Sequence, residues 1–167
     1  AVINFVTKFR LTVPRDKMEE RWKILPSIDR LYRQMSVVND GVDSPYVMRA
    51  IGSFEMIFKL MEQTLADSRP FIMGDQFTLA ETTLMPFIKV LEMVRFLDFW
   101  MEPYPLTRAW WDRMVERPSL KRLDDFSYSA ISEDSPHAKS GRETEPEFRV
   151  KLAEYRDRFG HAFNPVT

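Results

Sequence analysis

Apolar residues recur at alternating spacings of four and three along the middle of the chain, beginning just after Pro45. This spacing places them on one face and predicts an amphipathic helix from about Pro45 to Ala66. Gly52 lies inside this helix, where glycine costs about 1 kcal/mol relative to alanine. Its presence indicates that a second helix approaches closely there. The residues of the apolar stripe are Val47, Ile51, Phe54, Phe58, Met61 and Leu65.

The segments before this helix also have helical periodicity and are separated by prolines. Residues from Ala1 to about Arg10 form one apolar pattern, and Pro14 and Pro26 divide it from two further predicted helices. No segment alternates apolar and polar residues as a strand does, so the predicted fold class is all-α. Because the first helix starts at Ala1 without an N-terminal cap, we expect the chain to be a piece of a larger protein.

The clearest helix start lies in the segment from Pro70 to Glu81, where a Gly-Asp turn precedes Thr78. Thr78 can accept a hydrogen bond from the Glu81 N–H, and the Glu81 carboxylate can accept one from the Thr78 N–H. This capping box gives both residues a structural role, because it satisfies donors that a helix start leaves unpaired. The helix that follows, to about Leu97, is apolar on nearly every side and is predicted to lie at the centre of the domain.

Pro105 is predicted to start the next helix, with Leu106, Trp110 and Met114 facing inward, and a short helical piece continues to Leu123. Residues 1–123 are therefore interpreted as one helical domain.

Residues 124–167 are interpreted as a polar linker followed by an amphipathic C-terminal helix. Ser, Asp, Glu and Pro dominate from Asp124 to Gly141, and a second capping box at Thr144 is expected to start the helix. The apolar face of that helix consists of Phe148, Leu152, Tyr155 and Phe159.

Composition narrows the classes of function. Lys and Arg total 24 and Asp and Glu total 25, so no charge excess points to a nucleic acid or an anionic membrane as a partner. No apolar run approaches the roughly 20 residues that span a bilayer. The chain has no cysteine, and its 2 histidines lie in no carboxylate cluster with metal-ligand spacing, so no metal is predicted. Without a secretory signal pattern, we expect a cytoplasmic protein.

The order of the motifs is specific. An apolar helix precedes the segment P-F-I-x-G-D-x-F-T-L-A-E, from Pro70 to Glu81, and a long buried helix then leads to Y-P-x-x-x-x-W-x-x-x-M-x-x-R-P, from Tyr104 to Pro118. This order resembles the all-helical C-terminal domain of the glutathione transferase superfamily over most of residues 2–123. Within the superfamily, residues 21–26 and 39–45 are most similar to the bacterial β-etherase-like branch. One departure is Thr82, which stands where the family's hydrophobic staple would place an apolar partner for Phe77.

The resemblance implies a glutathione-dependent transferase or lyase that is usually a homodimer. A thioredoxin-like domain, which we expect to be absent from this chain, binds the co-substrate glutathione and activates its thiol in such enzymes. The helical domain supplies one wall of the pocket for a small hydrophobic electrophile. By analogy, that wall would include Phe5, Phe9, Arg10 and Trp22. Core packing or solvent exposure is the alternative for each of these side chains, and none of them is assigned a catalytic role.

Two hypotheses for function follow. In the first, the chain is the substrate-site domain of a two-domain glutathione transferase-like enzyme and is inactive alone, because it contains no group able to activate a thiol. In the second, it is a stand-alone, non-catalytic helical module for protein–protein assembly. The apolar face of the C-terminal helix, residues 144–159, motivates the second hypothesis, since an additional apolar face needs a surface to cover it.

Overall fold

A computed structural model describes residues 15–24, 27–122 and 132–160. The secondary structure of these residues is helical, and their one β-type pairing is an isolated bridge between Phe71 and Gly74. The predicted all-α fold class is therefore confirmed. Among the described residues, no helix combines the length and the apolar character that crossing a membrane requires.

The described residues contain seven α-helices, and 3₁₀ turns follow two of them. A 3₁₀ turn, Gly41–Asp43, follows the second helix, another, Leu65–Asp67, follows the third, and residues 118–122 are also helical. The α-helices are α1, Arg15–Lys23; α2, Ile28–Asp40; α3, Pro45–Thr64; α4, Leu79–Met93; α5, Leu97–Met101; α6, Pro105–Val115; and α7, Pro136–Phe159.

The chain divides into two compact units, residues 1–54 with 140–167 and residues 55–139. The boundary predicted after Leu123 falls outside the described residues. The division into a domain of residues 1–123 and an extension of residues 124–167 therefore stays a prediction.

In the first unit, Ser44 starts α3. Its hydroxyl accepts a hydrogen bond from the Tyr46 N–H at 3.3 Å and lies 2.9 Å from the Ser36 hydroxyl, so this fully buried polar side chain is satisfied. The buried apolar residues of this unit include Val37, Val47, Ile51, Phe148 and Leu152.

The close approach predicted at Gly52 is confirmed. A Cβ atom added to Gly52 would lie 2.9 Å from the Tyr155 hydroxyl oxygen, so the tyrosine ring occupies the space that any side chain at this position would need. A short distance away in sequence, Lys151 Nζ lies 2.9 Å from the Asp43 carboxylate. The first contact joins α7 to α3, and the second joins α7 to the 3₁₀ turn that precedes α3.

The helix start predicted at Thr144 is wrong. Helix α7 begins at Pro136, and Thr144 lies inside it, where its hydroxyl donates to the Ser140 carbonyl at 2.8 Å. The true cap is Ser135, whose hydroxyl accepts the Ala138 N–H at 3.0 Å. Serine followed by proline is itself a helix-start signal, because proline has the backbone angle that the first turn requires.

In the second unit, α4 departs from its predicted role. It ends at Met93 rather than near Leu97, and it does not bury every side, since Leu79 is 81% exposed and Phe87 58% exposed. Leu106 of α6 is also exposed rather than inward-facing, whereas Trp110 and Met114 are buried as predicted. The buried apolar residues of this unit include Phe58, Met61, Ile88, Leu91, Trp100, Trp110, Trp111 and Met114.

Candidate functional site

The residues predicted to line the substrate pocket cannot be placed. Phe5, Phe9 and Arg10 lie outside the described residues, and Trp22 belongs to α1 with its side chain outside the described part. Their assignment stays a prediction. The described residues instead show a set of hydrogen-bonded carboxylates that hold together the helices and loops of the second unit.

The predicted capping box at the start of α4 is confirmed. Thr78 has an extended backbone, its hydroxyl accepts the Ala80 N–H at 3.2 Å, and its own N–H donates to Glu81 Oε2 at 2.7 Å. The other carboxylate oxygen, Oε1, accepts the Ile72 N–H at 2.6 Å. Glu81 therefore joins the helix start to the preceding loop, a second function that the spacing of the capping box does not predict.

The environment of Glu81 acts on its pKa in two directions. Burial raises the pKa because it disfavours the charged form. The N–H groups of Thr78 and Ile72 and the Thr78 hydroxyl donate hydrogen bonds to the carboxylate and lower it. The hydrogen bonds outweigh burial, and the pKa of Glu81 lies below its ordinary value of 4.5. The carboxylate is therefore a stable structural anion rather than a proton donor at neutral pH.

The loop before α4 is closed by a tight turn and an aromatic pair. Phe71 and Gly74 exchange backbone hydrogen bonds of 3.1 Å, with Gly74 at a φ of +114° that favours glycine. The Phe71 and Phe77 rings meet edge to face at 6.0 Å, and the Arg117 guanidinium lies 3.7 Å from the Phe77 ring centroid. Phe77 thus packs against an aromatic ring and a guanidinium group. The residue at the staple position, Thr82, is not apolar.

A buried carboxylate that the sequence analysis missed lies in the core of the second unit. Glu55 is only 3% exposed, and its two oxygens accept hydrogen bonds from Trp100 Nε1 at 2.7 Å and from the Tyr104 hydroxyl at 3.0 Å. The Phe58 ring packs against both aromatic partners. One signal was available, since Glu55 is four residues after Ile51 and therefore falls on the apolar face of α3.

A second carboxylate of α3, Glu62, caps α6 from a distance. Its oxygens accept the N–H groups of Leu106 at 3.0 Å and Thr107 at 2.8 Å, as well as the Thr107 hydroxyl at 2.9 Å. Tyr104 occupies the N-cap position of α6 but makes no side-chain cap. A negative charge at a helix N-terminus is favourable both as an acceptor and through the helix dipole, so Glu62 replaces the local cap.

These three carboxylates are suited to holding the fold. A general base needs access to the proton that it removes, whereas both oxygens of Glu55 and of Glu81 already accept hydrogen bonds from neighbouring donors. Within residues 15–24, 27–122 and 132–160, no group of three or more potential ligands could hold a metal ion.

The described residues form an all-α fold in which a glycine turn and a capping box start α4. Two carboxylates of α3 accept hydrogen bonds from later residues: Glu55 from two buried aromatic side chains, and Glu62 from the N–H groups at the start of α6. The family model for the C-terminal domain of glutathione S-transferases matches residues 24–118. This is more than half of the 167 residues, and the chain belongs to that family. Comparison with curated proteins and with solved structures gives no match. The more specific resemblance to the β-etherase-like branch stays a prediction.

Proposed function

We propose that this chain is the helical substrate-site domain of a cytoplasmic, homodimeric glutathione transferase-like enzyme. In the parent protein, a thioredoxin-like domain would hold glutathione, and the glutathione thiolate would attack a hydrophobic or aromatic electrophile. The observation that carries the proposal is the family match over residues 24–118, which includes the capping box at Thr78 and Glu81.

The proposed division of labour follows from the chemistry of the chain. The thiolate is the nucleophile, and generating it requires a group that lowers the thiol pKa. The buried carboxylates would oppose an adjacent thiolate rather than stabilise it, since like charges raise the pKa. The contribution of this chain is therefore apolar contact with the electrophile, for which Phe5, Phe9 and Trp22 are the proposed residues and Arg10 the proposed polar one.

The burial of the C-terminal helix bears against the alternative of a stand-alone assembly module. That alternative rested on an apolar face of the C-terminal helix that lacked a covering surface. Phe148 and Leu152 of that face are buried within the chain, and the Tyr155 ring lies against Gly52. Three of the four residues of the face are thus used internally and only Phe159 is exposed, so the face gives the alternative little support.

Calorimetry with two probes tests the proposed role. The chain is titrated with glutathione and with an S-(dinitrophenyl) glutathione conjugate, and turnover of the corresponding aryl halide is measured with glutathione present. We expect the conjugate to bind, glutathione alone to bind too weakly to saturate, and turnover to stay at the uncatalysed rate. Phe9→Ala should weaken conjugate binding about tenfold, the loss expected when an aromatic ring no longer buries its surface.

Phe87→Ala is the matched control, because it deletes the same ring from the exposed face of α4. It should leave conjugate binding unchanged. Saturable glutathione binding with turnover by the chain alone would show that the chain has its own thiol site and would overturn the proposed division of labour. Equal conjugate binding by Phe9→Ala and Phe87→Ala would remove Phe9 from the pocket.

A further inference from the structure

The C-terminal end of α4 is closed by an arginine in a conformation that favours glycine. The Arg95 N–H donates to the Glu92 carbonyl at 3.0 Å, and the Phe96 N–H donates to the Leu91 carbonyl at 2.9 Å. This pair of bonds is a Schellman motif, and Arg95 occupies its left-handed position with a φ of +62°. Phe96 and Leu91, whose positions often make a hydrophobic contact in this motif, are both fully buried.

Arginine is an unfavourable residue at this position, since its Cβ atom crowds the following carbonyl in left-handed backbone. Ser68, after the 3₁₀ turn that follows α3, has a similar φ of +68°, but its side chain is exposed at a loop. The Arg95 side chain is different, because its Nε atom is fully buried. A long cationic side chain on a strained backbone, with its Nε atom buried, indicates that the side chain itself has a role.

The Arg95 guanidinium reaches the turn that precedes α7. Its Nη2 atom lies 3.0 Å from Glu133 Oε1. Glu133 belongs to a closed turn in which the Ser135 N–H donates to the Ser132 carbonyl at 3.0 Å, and Ser135 then caps α7. The ion pair therefore joins the end of a helix inside the family-matched residues to a turn beyond them, since the match ends at residue 118.

We propose that Arg95 is an ionic latch that holds the turn of residues 132–135, and with it the start of α7, against the C-terminal end of α4. Glycine would close the Schellman motif with less strain but could not reach Glu133. The latch is dependent on ionic strength, because the Glu133 side chain is 75% exposed and its charge is screened by salt. The proposal concerns the fold of the second unit and does not depend on the enzyme activity.

Hydrogen exchange on the whole chain, read by mass spectrometry, tests the latch. The reporters are the Ala138 and Lys139 N–H groups, which bond to Ser135. Arg95→Gly and Glu133→Gln should each speed their exchange about two- to fivefold, the range expected for loss of an exposed ion pair. The double variant should be no faster than either single variant, because both remove the same interaction. About 1 M salt should have the same effect on the unmodified chain, since it shortens the Debye length to about 3 Å.

Ser68→Gly is the matched control, since it removes a side chain from the same backbone conformation at a site without the ion pair. It should leave the exchange of Ala138 and Lys139 unchanged. The proposal is overturned if Glu133→Gln leaves these amides unaffected, because that surface substitution removes the charge without altering the backbone of α4. Additive effects of the two substitutions would also overturn it, by showing that Arg95 and Glu133 act separately.

Discussion

The start of α4 and the core of the second unit each contain a buried glutamate, and the two glutamates receive their hydrogen bonds from different kinds of donor. At both places a glutamate is buried, at position 81 and at position 55, and at both places each carboxylate oxygen accepts hydrogen bonds. Glu81 is bound mainly by backbone N–H groups and Glu55 by the side chains of Trp100 and Tyr104. The first arrangement fixes a helix start, and the second fixes the positions of two aromatic rings within a core.

The two glutamates also differ in how far away their donors lie along the chain. Thr78 is three residues from Glu81 and Ile72 is nine, whereas Trp100 and Tyr104 are 45 and 49 residues from Glu55. Donors and an acceptor a few residues apart form a motif that can be recognised in the sequence, whereas groups that lie more than 40 residues apart do not. Tests of the comparison therefore ask whether the carboxylate with distant partners contributes more to stability than the one with local partners.

The largest expected effect is at Glu55. Glu55→Ala removes the acceptor of two buried donors and leaves a cavity, so the free energy of unfolding should fall by about 3 kcal/mol or more. Urea unfolding followed by circular dichroism measures this loss. Glu55→Gln is the matched control, since it keeps the volume and one acceptor oxygen and should cost about half as much. A loss below about 1 kcal/mol in Glu55→Ala would mean that the hydrogen bonds from Trp100 and Tyr104 to Glu55 do not stabilise the core.

A smaller effect is expected at Glu81. Glu81→Ala removes the acceptor of the Thr78 and Ile72 N–H groups, and we expect a loss of about 2 kcal/mol, the upper end of the range for helix caps. Thr78→Ala removes only the hydroxyl and should cost about 1 kcal/mol. The same urea titrations compare the variants. If Thr78→Ala costs as much as Glu81→Ala, the bond from Glu81 to the loop at Ile72 adds nothing to the capping box.

Two buried tryptophans allow the contribution of the hydrogen bond to Glu55 to be measured apart from the contribution of side-chain packing. Trp100 and Trp110 are both fully buried, but the Trp100 N–H donates to Glu55 whereas the Trp110 N–H has no hydrogen-bond partner among the described residues. Phenylalanine at either position leaves a cavity of similar size. Trp100→Phe should therefore be more destabilising than Trp110→Phe by about 1 kcal/mol, the net contribution of a typical hydrogen bond. Equal losses in thermal or urea unfolding would assign the whole effect to packing.

What the sequence predicts well depends on the same distinction between local and distant partners. The all-α class, the extent of α3 and the capping box follow from repeats and spacings within one helix, and the structure confirms them. Glu62 was missed because the helix that it caps begins more than 40 residues later, at a site with no local cap. The exposed side of α4 was missed because an apolar pattern does not reveal which residues are covered by the rest of the chain.

The error at α7 has a different origin. Thr144 precedes glutamates with the spacing of a capping box, but a threonine inside a helix can also donate to the preceding carbonyls, as it does here to Ser140. The Ser135-Pro136 pair also predicts a helix start, the correct one, and the sequence around it favours that start as strongly as the capping-box spacing favours Thr144. Two competing local motifs in one segment therefore cannot be ranked without knowing which residues are buried. Buried Ala138 and Ser140 lie before Thr144 and make the earlier start favourable.

The smallest expected effect is the dependence of the Glu81 contribution on pH. Because its folded-state pKa lies below the ordinary 4.5, the carboxylate stabilises the fold fully above about pH 4.5, and this stabilisation is lost as the pH falls through the folded-state pKa. Glu81→Gln lacks the titrating group, so the difference in unfolding free energy between the unmodified chain and this variant should be constant near neutral pH and shrink on acidification. Urea titrations between about pH 7 and pH 3 measure that difference. A gap that stays constant to pH 3 would show that Glu81→Gln is destabilising because the amide loses shape or hydrogen bonds, not because it loses charge.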